Sequence, residues 1–152
     1  MKNIDLSKIT TYQAGAIQAY INRKFQKVSD DALQPFGITK MQWMIIGFVM
    51  DAGPNGTRLS DLAGRLGTTL GYLTNSVNLL ESRGILSRID NDKDTRSKMI
   101  VVNSSYINTC QQIEDTLRKS LRRIIYDKID PDEFKVYLKV MQKLATINVD
   151  EK

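Results

Sequence analysis

Apolar residues recur three or four positions apart in the first part of the chain, from Thr10 to Leu33, which predicts one long helix. Pro35 disfavours helical geometry at the residue before it, so the helix is expected to end there. Thr39 is a suitable N-cap for a second helix of similar apolar pattern. The turn-forming residues of 51–56 predict where that second helix ends.

Two further helices are predicted in the middle of the chain. The first runs from Ser60 to Leu66, and Gly67 can adopt the positive φ that ends a helix. Thr68 and Thr69 offer hydroxyl groups that cap a longer helix, which reaches about Arg83. The apolar positions of this longer helix share one inward face, and they are Leu73, Val77 and Leu80. Small polar residues occupy the opposite face.

The rest of the chain predicts a hairpin and two more helices. Ile85–Asp90 and Lys98–Asn103 have the pattern of strands, and the polar segment between them suits a hairpin connection. Asn103, Ser104 and Ser105 are expected to cap a long helix after the second strand. The final helix is predicted to start at Asp130-Pro131, because an acidic cap precedes a proline at the first helical position.

The predicted order of elements is helix, helix, helix, helix, hairpin, helix, helix. A short helix, a glycine-containing turn and a longer helix, followed at once by a hairpin, form the winged helix-turn-helix arrangement. In that arrangement the longer helix enters the major groove of DNA, and its polar face reaches the base edges. The candidate contacts on this face are Thr68, Thr69, Gly71, Tyr72, Asn75 and Asn78.

Four stretches of the middle region resemble the MarR (multiple antibiotic resistance regulator) family of winged-helix transcription factors. The sequence I-T-K-M-Q-W (38–43) resembles that family's second helix, and L-S-D-L-A-G-R-L-G (59–67) its first helix-turn-helix helix. L-L-E-S-R-G-I-L (79–86) and D-K-D-T-R (92–96) are similar to the entry into the wing and to the wing itself. The resemblance implies a mainly α fold with a small β-hairpin wing, and a homodimer that binds a pseudo-palindromic operator.

The resemblance also implies roles for the wing residues. Arg96 corresponds to the family's minor-groove arginine, and Asp94 to the aspartate that orients it. Arg88 belongs to the same wing pattern, and Lys93 and Lys98 are expected at phosphates. The sequence departs from many members at Asn75, where they have arginine, and at Gly71, where serine is usual. A solvated surface ion pair is the alternative role for Arg96 and Asp94.

One MarR-like domain is expected over residues 1–152, with the DNA-binding region at 36–103 and dimerisation helices at 8–34 and 104–150. A single chain offers too little surface for the terminal helices to pack against, which favours a dimer interface. The apolar candidates for this interface are Ile17, Ile21, Leu117, Leu121, Leu138 and Leu144. The resemblance implies release from DNA by a small aromatic or anionic effector, whose identity and binding residues are unknown from the sequence.

Composition narrows the chemistry. The chain has 152 residues, no histidine and a single cysteine, Cys110, so His-based catalysis, His-containing metal sites and intramolecular disulfides are excluded. We therefore expect no enzyme, no catalytic residue, no bound metal and no cofactor. An acidic residue at position 5 and the absence of a long apolar run predict a cytoplasmic protein without a membrane segment. No basic residue lies near Cys110 in sequence, which argues against a redox-sensing thiol.

The net charge of +5 suits a polyanionic partner, although many solvated helical proteins carry the same charge. The favoured function is a DNA-binding transcriptional regulator, most simply a repressor that occludes a promoter. A SarA-like regulator of lower sequence selectivity is one alternative. A winged-helix dimer that binds a partner protein is another, because residues 36–103 contain eight basic and six acidic residues, a small positive excess.

Overall fold

The structure, a computed structural model, describes residues 5–91, 94 and 97–148, and of Leu6 it describes the backbone. Its helices and strands follow the predicted order. They are α1 (Thr11–Leu33), α2 (Lys40–Asp51), α3 (Leu59–Leu66), α4 (Leu70–Ser82), β1 (Leu86–Asp90), β2 (Lys98–Val102), α5 (Ile107–Ile124) and α6 (Pro131–Ala145). The predicted fold class, mainly helical with one hairpin wing, is confirmed.

Local capping explains why most helices begin where the sequence predicts. The Thr39 hydroxyl accepts a hydrogen bond from the backbone N–H of Gln42. In return, the backbone N–H of Thr39 donates to Gln42 Oε1 at 2.9 Å. Asp130 caps α6 by accepting from the backbone of the second and third helical residues. These contacts satisfy amide groups that a helix start would otherwise leave without partners.

The predicted cap of α5 is wrong. Residues Ser104–Tyr106 form a 3-10 turn, and α5 begins after it at Ile107 without a side-chain cap. The Asn103 side chain is used elsewhere, because its amide donates to Gly84 O at 2.7 Å and its oxygen accepts from the Ser87 hydroxyl. Asn103 therefore fastens the base of the hairpin instead of starting the helix.

The hairpin is antiparallel, with Leu86 opposite Val102 and Asp90 opposite Lys98. A third segment joins it, because Thr57 exchanges two backbone hydrogen bonds with Ile100. These bonds attach the loop between α2 and α3 to β2. The loop before α3 thus pairs with the edge of the hairpin that β2 forms.

The core lies where α2, α3, α4 and the hairpin meet, and the first turns of α5 and the end of α1 complete it. The largest fully buried side chains are Leu33, Ile45, Ile46, Leu62, Leu73, Leu80, Ile85, Leu86, Ile100 and Ile113. By contrast α6, which is described throughout, contains no buried residue. Among the described residues no helix is long and apolar enough to cross a membrane.

Candidate nucleic-acid interface

Helix α4 is fixed by its apolar face and by its N-cap. Leu73, Val77 and Leu80 are completely buried, so the helix cannot rotate about its axis without exposing them. The Thr69 hydroxyl accepts from the Tyr72 amide at 3.3 Å, which starts the helix. The opposite face of α4 is therefore presented to solvent as a rigid surface.

The residues predicted on that face are exposed or partly exposed. Gly71, Tyr72, Asn75 and Asn78 are exposed, as is Thr69, whereas Thr68 is half-buried. Within the described part of the chain the Asn75 side chain makes no hydrogen bond, so both its amide oxygen and its amide nitrogen face solvent. An amide in this state can pair with the two major-groove groups of adenine.

Unlike Asn75, Asn78 forms a side-chain hydrogen bond, and its partner is a residue of β1. Arg88 Nη2 donates to Asn78 Oδ1 at 2.8 Å, and Arg88 Nη1 forms an ion pair with Glu81. The structure therefore brings together two predicted DNA-contact residues at the junction of β1 and α4. There they join the hairpin to the helix, and any role of either at DNA remains a prediction.

At the wing, Asp94 lies 3.9 Å from the guanidinium of Arg58. Lys98 forms an ion pair with Asp90 on the neighbouring strand. Two predicted contacts, Lys93 and Arg96, lie outside the described residues, so the orientation of Arg96 by Asp94 stays a prediction. The Asp90–Lys98 pair lies where the two strands meet the connecting loop, and both of its side chains are well exposed.

The connection between the two strands contains a buried polar contact. Asn91 is buried and donates to Ser97 Oγ at 2.8 Å. Ser97 Oγ in turn donates to Asp94 O at 3.1 Å. Because buried amides are stabilised by such bonds, the two ends of the connection between the strands are held close together.

Sequence reasoning missed Arg58 and Leu70 as candidates. Arg58 comes near the wing only through the fold, since it precedes α3 and is distant from Asp94 in sequence. Leu70 is the first residue of α4, and the residue is 52% exposed. The sequence shows a leucine at this position, but an apolar residue type predicts burial and not exposure.

The end of α4 is linked to the corner between α1 and α2. Arg83 Nη1 donates to Gly37 O at 2.8 Å, and Nη2 donates to Phe36 O at 3.3 Å. Gly37 has φ +64°, a conformation that glycine adopts easily. The position of α4 is thereby tied to the end of the first helix.

The predicted dimer residues lie on two kinds of surface. Leu138 and Leu144 are exposed on α6, and Ile17, Ile21 and Leu121 are half-buried. Leu117 is only 9% exposed within one protomer, so most of its side chain packs inside the protomer. The exposed residues of α6 form the larger apolar surface, which also includes Val136, Val140 and Met141, and Ile147 is exposed just after the helix.

A cavity of about 820 Å³ lies between α1, the end of α5 and the start of α6. Its lining is mainly apolar and includes the aromatic residues Phe25, Tyr126 and Tyr137, with Lys24 and Lys128 also present. Burial raises the pKa of the Tyr126 phenol, with a smaller contribution from Tyr137, so Tyr126 is neutral at physiological pH. Lys27, Asp31 and Glu133 also line the site, and Lys27 is paired with Asp31, so the site can accept an apolar or aromatic group beside charges of both signs.

Cys110 is completely buried on α5. Burial raises the pKa of its thiol, which keeps the thiolate, the reactive form, scarce at neutral pH. Cys110 is therefore part of the hydrophobic core. Among the described residues no cluster of potential ligands that could hold a metal ion is found.

Comparison with known proteins relates this geometry to a family. Residues 36–97 match the model of the MarR family. No curated protein matches the chain by sequence. Members of the MarR family are DNA-binding transcription regulators and not enzymes.

Solved structures match over nearly the whole chain. AbsC, a MarR family transcriptional regulator from Streptomyces coelicolor, is 22% identical with a TM-score of 0.76, covering 90% of this chain and 94% of its own. A mutant MarR from E. coli in complex with operator DNA is 22% identical with a TM-score of 0.77, covering 86% and 91%. CouR from Rhodococcus jostii, bound to p-coumaroyl-CoA, is 16% identical with a TM-score of 0.81, covering 95% and 99%. These matches and the family model confirm the resemblance predicted from the sequence.

Proposed function

We propose that this chain, which has the fold of MarR-family transcription regulators, is a homodimeric, sequence-specific DNA-binding regulator that represses transcription from a pseudo-palindromic operator. The observation that carries the proposal is the surface of α4. Its buried face fixes the helix, and its exposed face offers short polar side chains beside a hairpin joined to it by Arg88. The DNA-binding region is residues 36–103, and the dimerisation helices lie in 8–34 and 104–150.

The contacts to DNA divide into positioning and base recognition. The amide groups at the start of α4, next to Thr69, suit a phosphate, since a helix N-terminus attracts anions. Asn75 is placed to pair with adenine in the major groove, and Arg96 is assigned to the minor groove. The E. coli MarR mutant, which has a similar fold and is complexed with operator DNA, supports the proposal that a chain of this fold binds DNA.

The dimer would form through the terminal helices. The exposed apolar residues of α6, among them Leu138, Met141 and Leu144, have no cover within the described protomer. An apolar surface of this kind is stabilised when a second copy buries it. Two-fold symmetry then places two copies of α4 in successive major grooves, about 10–10.5 bp apart.

The cavity beside Phe25, Tyr126 and Tyr137 is the proposed site of a small-molecule effector. Its aromatic lining favours an aromatic ligand, and its three lysines exceed the carboxylates of Asp31 and Glu133 by one charge, which is compatible with an anionic group on that ligand. CouR, which is bound to p-coumaroyl-CoA, supports the general idea of a MarR-like fold that carries such a ligand. A ligand at this place would contact both α1 and α6, so it could alter the spacing of the two copies of α4.

The salt dependence of binding tests the proposal against a protein-interaction module. Phosphate contacts release counterions, so the affinity for duplex DNA should fall linearly with salt on logarithmic axes. Fluorescence anisotropy with a labelled duplex, between about 50 and 200 mM salt, should show a loss of about tenfold or more. A folded dimer that binds no duplex at about 50 mM salt would contradict DNA binding. Equal affinity for all duplexes would instead support a SarA-like regulator.

A further inference from the structure

Two asparagines share the exposed face of α4. Asn75 follows the buried Leu73 by two positions and so points about 200° away from it around the helix axis. Asn78 precedes the buried Leu80 by two positions and points away from the core in the same manner. The two asparagines are about 60° apart around the axis and about 4.5 Å apart along it. They therefore face the same side, at a separation that suits different base pairs of one groove.

The amide of Asn78 is fixed in one orientation by Arg88. Arg88 Nη2 donates to Asn78 Oδ1 at 2.8 Å, and a guanidinium has donors only, so the amide oxygen has to face the strand. The ion pair of Arg88 with Glu81 holds the guanidinium in turn. A half rotation of the amide would bring its N–H groups against the N–H groups of the arginine. Asn78 therefore cannot exchange its oxygen and nitrogen, whereas Asn75 can.

The outward group of Asn78 is its amide nitrogen. The residue is exposed, and Nδ2 makes no hydrogen bond with the part of the chain that the structure describes. With the oxygen turned toward Arg88, the side chain offers a partner two N–H donors. Asn75 offers a donor and an acceptor side by side. The two asparagines consequently have different hydrogen-bonding properties, although their residue type is the same.

We propose that Asn78 recognises guanine in the major groove, and that Arg88 is the positioning residue that restricts Asn78 to this base. Guanine presents two acceptors there, N7 and O6, and both suit the N–H groups of Asn78. Cytosine presents a donor, adenine presents a donor beside its N7 acceptor, and thymine presents O4 alone. A side chain that only donates is thus best matched by guanine and worst by cytosine. This inference rests on the proposed DNA-binding function and adds a specificity-determining residue to it.

Exchange of G·C for C·G tests the contact, because it puts a donor where the two acceptors stood. The DNA is a duplex enriched from random sequence by the wild-type protein, in which each G·C pair of the half-sites is exchanged in turn. In anisotropy titrations, the exchange at one pair of each half-site should lower the wild-type affinity about fivefold or more, the discrimination of one specific base contact. Asn78→Ala should bind these two duplexes with equal affinity.

Asn78→Asp is the sharpest variant, because it replaces the outward donor with an acceptor. The carboxylate still accepts from Arg88, so we expect the variant to fold, which thermal melting checks. At the same base pair the preference should reverse, since a carboxylate accepts from the N4 group of cytosine and is repelled by the acceptors of guanine. The added negative charge weakens binding to both duplexes, so the ratio of the two affinities is the quantity compared.

Two further variants separate the roles of the arginine and of the neighbouring asparagine. Arg88→Met releases the amide of Asn78, which can then also turn its oxygen outward, so most of the preference for G·C should be lost. Asn75→Ala removes the other exposed asparagine and should retain the full preference at the pair that Asn78 contacts. A purely structural role of Asn78 would change stability and leave the base preference of every variant as in the wild type.

Three outcomes would overturn the inference. If Asn78→Ala and Asn78→Asp keep the wild-type preference at every base pair, Asn78 does not contact a base, and the sequence-specific function stands without it. If folded Arg88→Met keeps the full preference for G·C, the arginine does not set the specificity of Asn78. If the wild type enriches no sequence, the proposed sequence-specific function itself fails, and the inference fails with it.

Discussion

Arg88 Nη2 donates a hydrogen bond to Asn78 Oδ1 at 2.8 Å and so connects the first strand of the hairpin to helix α4. Arginine is a donor only, so the amide of Asn78 must turn its oxygen toward the strand. The ion pair between Arg88 and Glu81 adds a second link between the same two elements. Arg88 therefore adds side-chain links between β1 and α4 to the buried contacts that already join the hairpin to the core.

We expect Arg88→Met to lower the free energy of unfolding by about 1–2 kcal/mol, because it removes charge-assisted hydrogen bonds from partly buried groups. Urea denaturation followed by circular dichroism measures this change. Lys98→Met is the matched control, since it removes an ion pair to Asp90 that is well exposed on both sides and should cost about 0–1 kcal/mol. Equal effects of the two changes would show that Arg88 is not a structural link.

Gly56 and Gly53 both have φ +69°, and Gly56 combines it with ψ −169°, a region that is essentially restricted to glycine. A Cβ at Gly56 would lie 2.4 Å from Ile100 O, whereas a Cβ at Gly53 would meet no described atom within 4 Å. Gly53→Ala should therefore cost about 1–2 kcal/mol, the strain of the left-handed backbone alone. Gly56→Ala should cost about 3 kcal/mol or more, since the loop must also separate from β2. Urea denaturation that gave the two variants equal stability would contradict the described packing.

The sequence predicted the elements that depend on neighbouring residues. Thr39 and Asp130 were identified as caps because the groups that they bind lie two or three residues away. Other contacts join residues that are distant in sequence. Asn103 forms hydrogen bonds with Gly84 and Ser87, and Thr57 forms a backbone bridge with Ile100. Such contacts leave no periodic pattern, so local reasoning could not find them.

The same distinction applies to the candidate site. The inward face of α4 followed from its apolar spacing, and the structure confirms that Leu73, Val77 and Leu80 are buried. The pairing of Asn78 with Arg88 did not follow, because both residues are polar and suit DNA equally well. Residue type alone could not separate a side chain that faces DNA from one that fastens two elements together.

Dimerisation through α6 predicts a strong effect of a charge placed on its exposed apolar face. Leu144 is 60% exposed, and Leu144→Glu should place a carboxylate in the apolar contact, where burial without a partner is costly. Sedimentation at micromolar concentration should give twice the 17.3 kDa chain mass for the wild type and the chain mass for the variant. Gln142→Glu adds the same charge at another exposed position of α6 and should remain dimeric. A dimeric Leu144→Glu protein would place the interface elsewhere.

Arg96 is predicted to contact the minor groove. Arg96→Ala should weaken binding to the specific duplex by about 1–3 kcal/mol and leave thermal stability unchanged. Arg123→Ala, which removes an exposed arginine of α5 far from the wing, should bind normally. Anisotropy titrations of the three proteins measure the difference, and unchanged affinity of Arg96→Ala would remove this residue from the mechanism.

Cys110 is predicted to be unreactive in the folded protein. Its burial and the raised pKa of its thiol both disfavour attack by a thiol reagent at neutral pH. Modification by DTNB at pH 7.5 should be slow in buffer and complete within seconds in concentrated urea. Peroxide should not alter DNA binding by the wild type or by Cys110→Ser. Rapid modification of the folded protein would identify an accessible thiol and contradict the prediction.

Selection from random duplex DNA tests the central claim most directly. The wild-type protein is incubated with a random pool at about 150 mM salt, where non-specific attraction is partly screened, and the bound sequences are determined. We expect a two-fold symmetric motif with half-site centres about 10–10.5 bp apart, since each protomer places one α4 in the major groove. A folded dimer that enriches no motif, or an asymmetric one, would contradict the account of a dimeric, sequence-specific regulator.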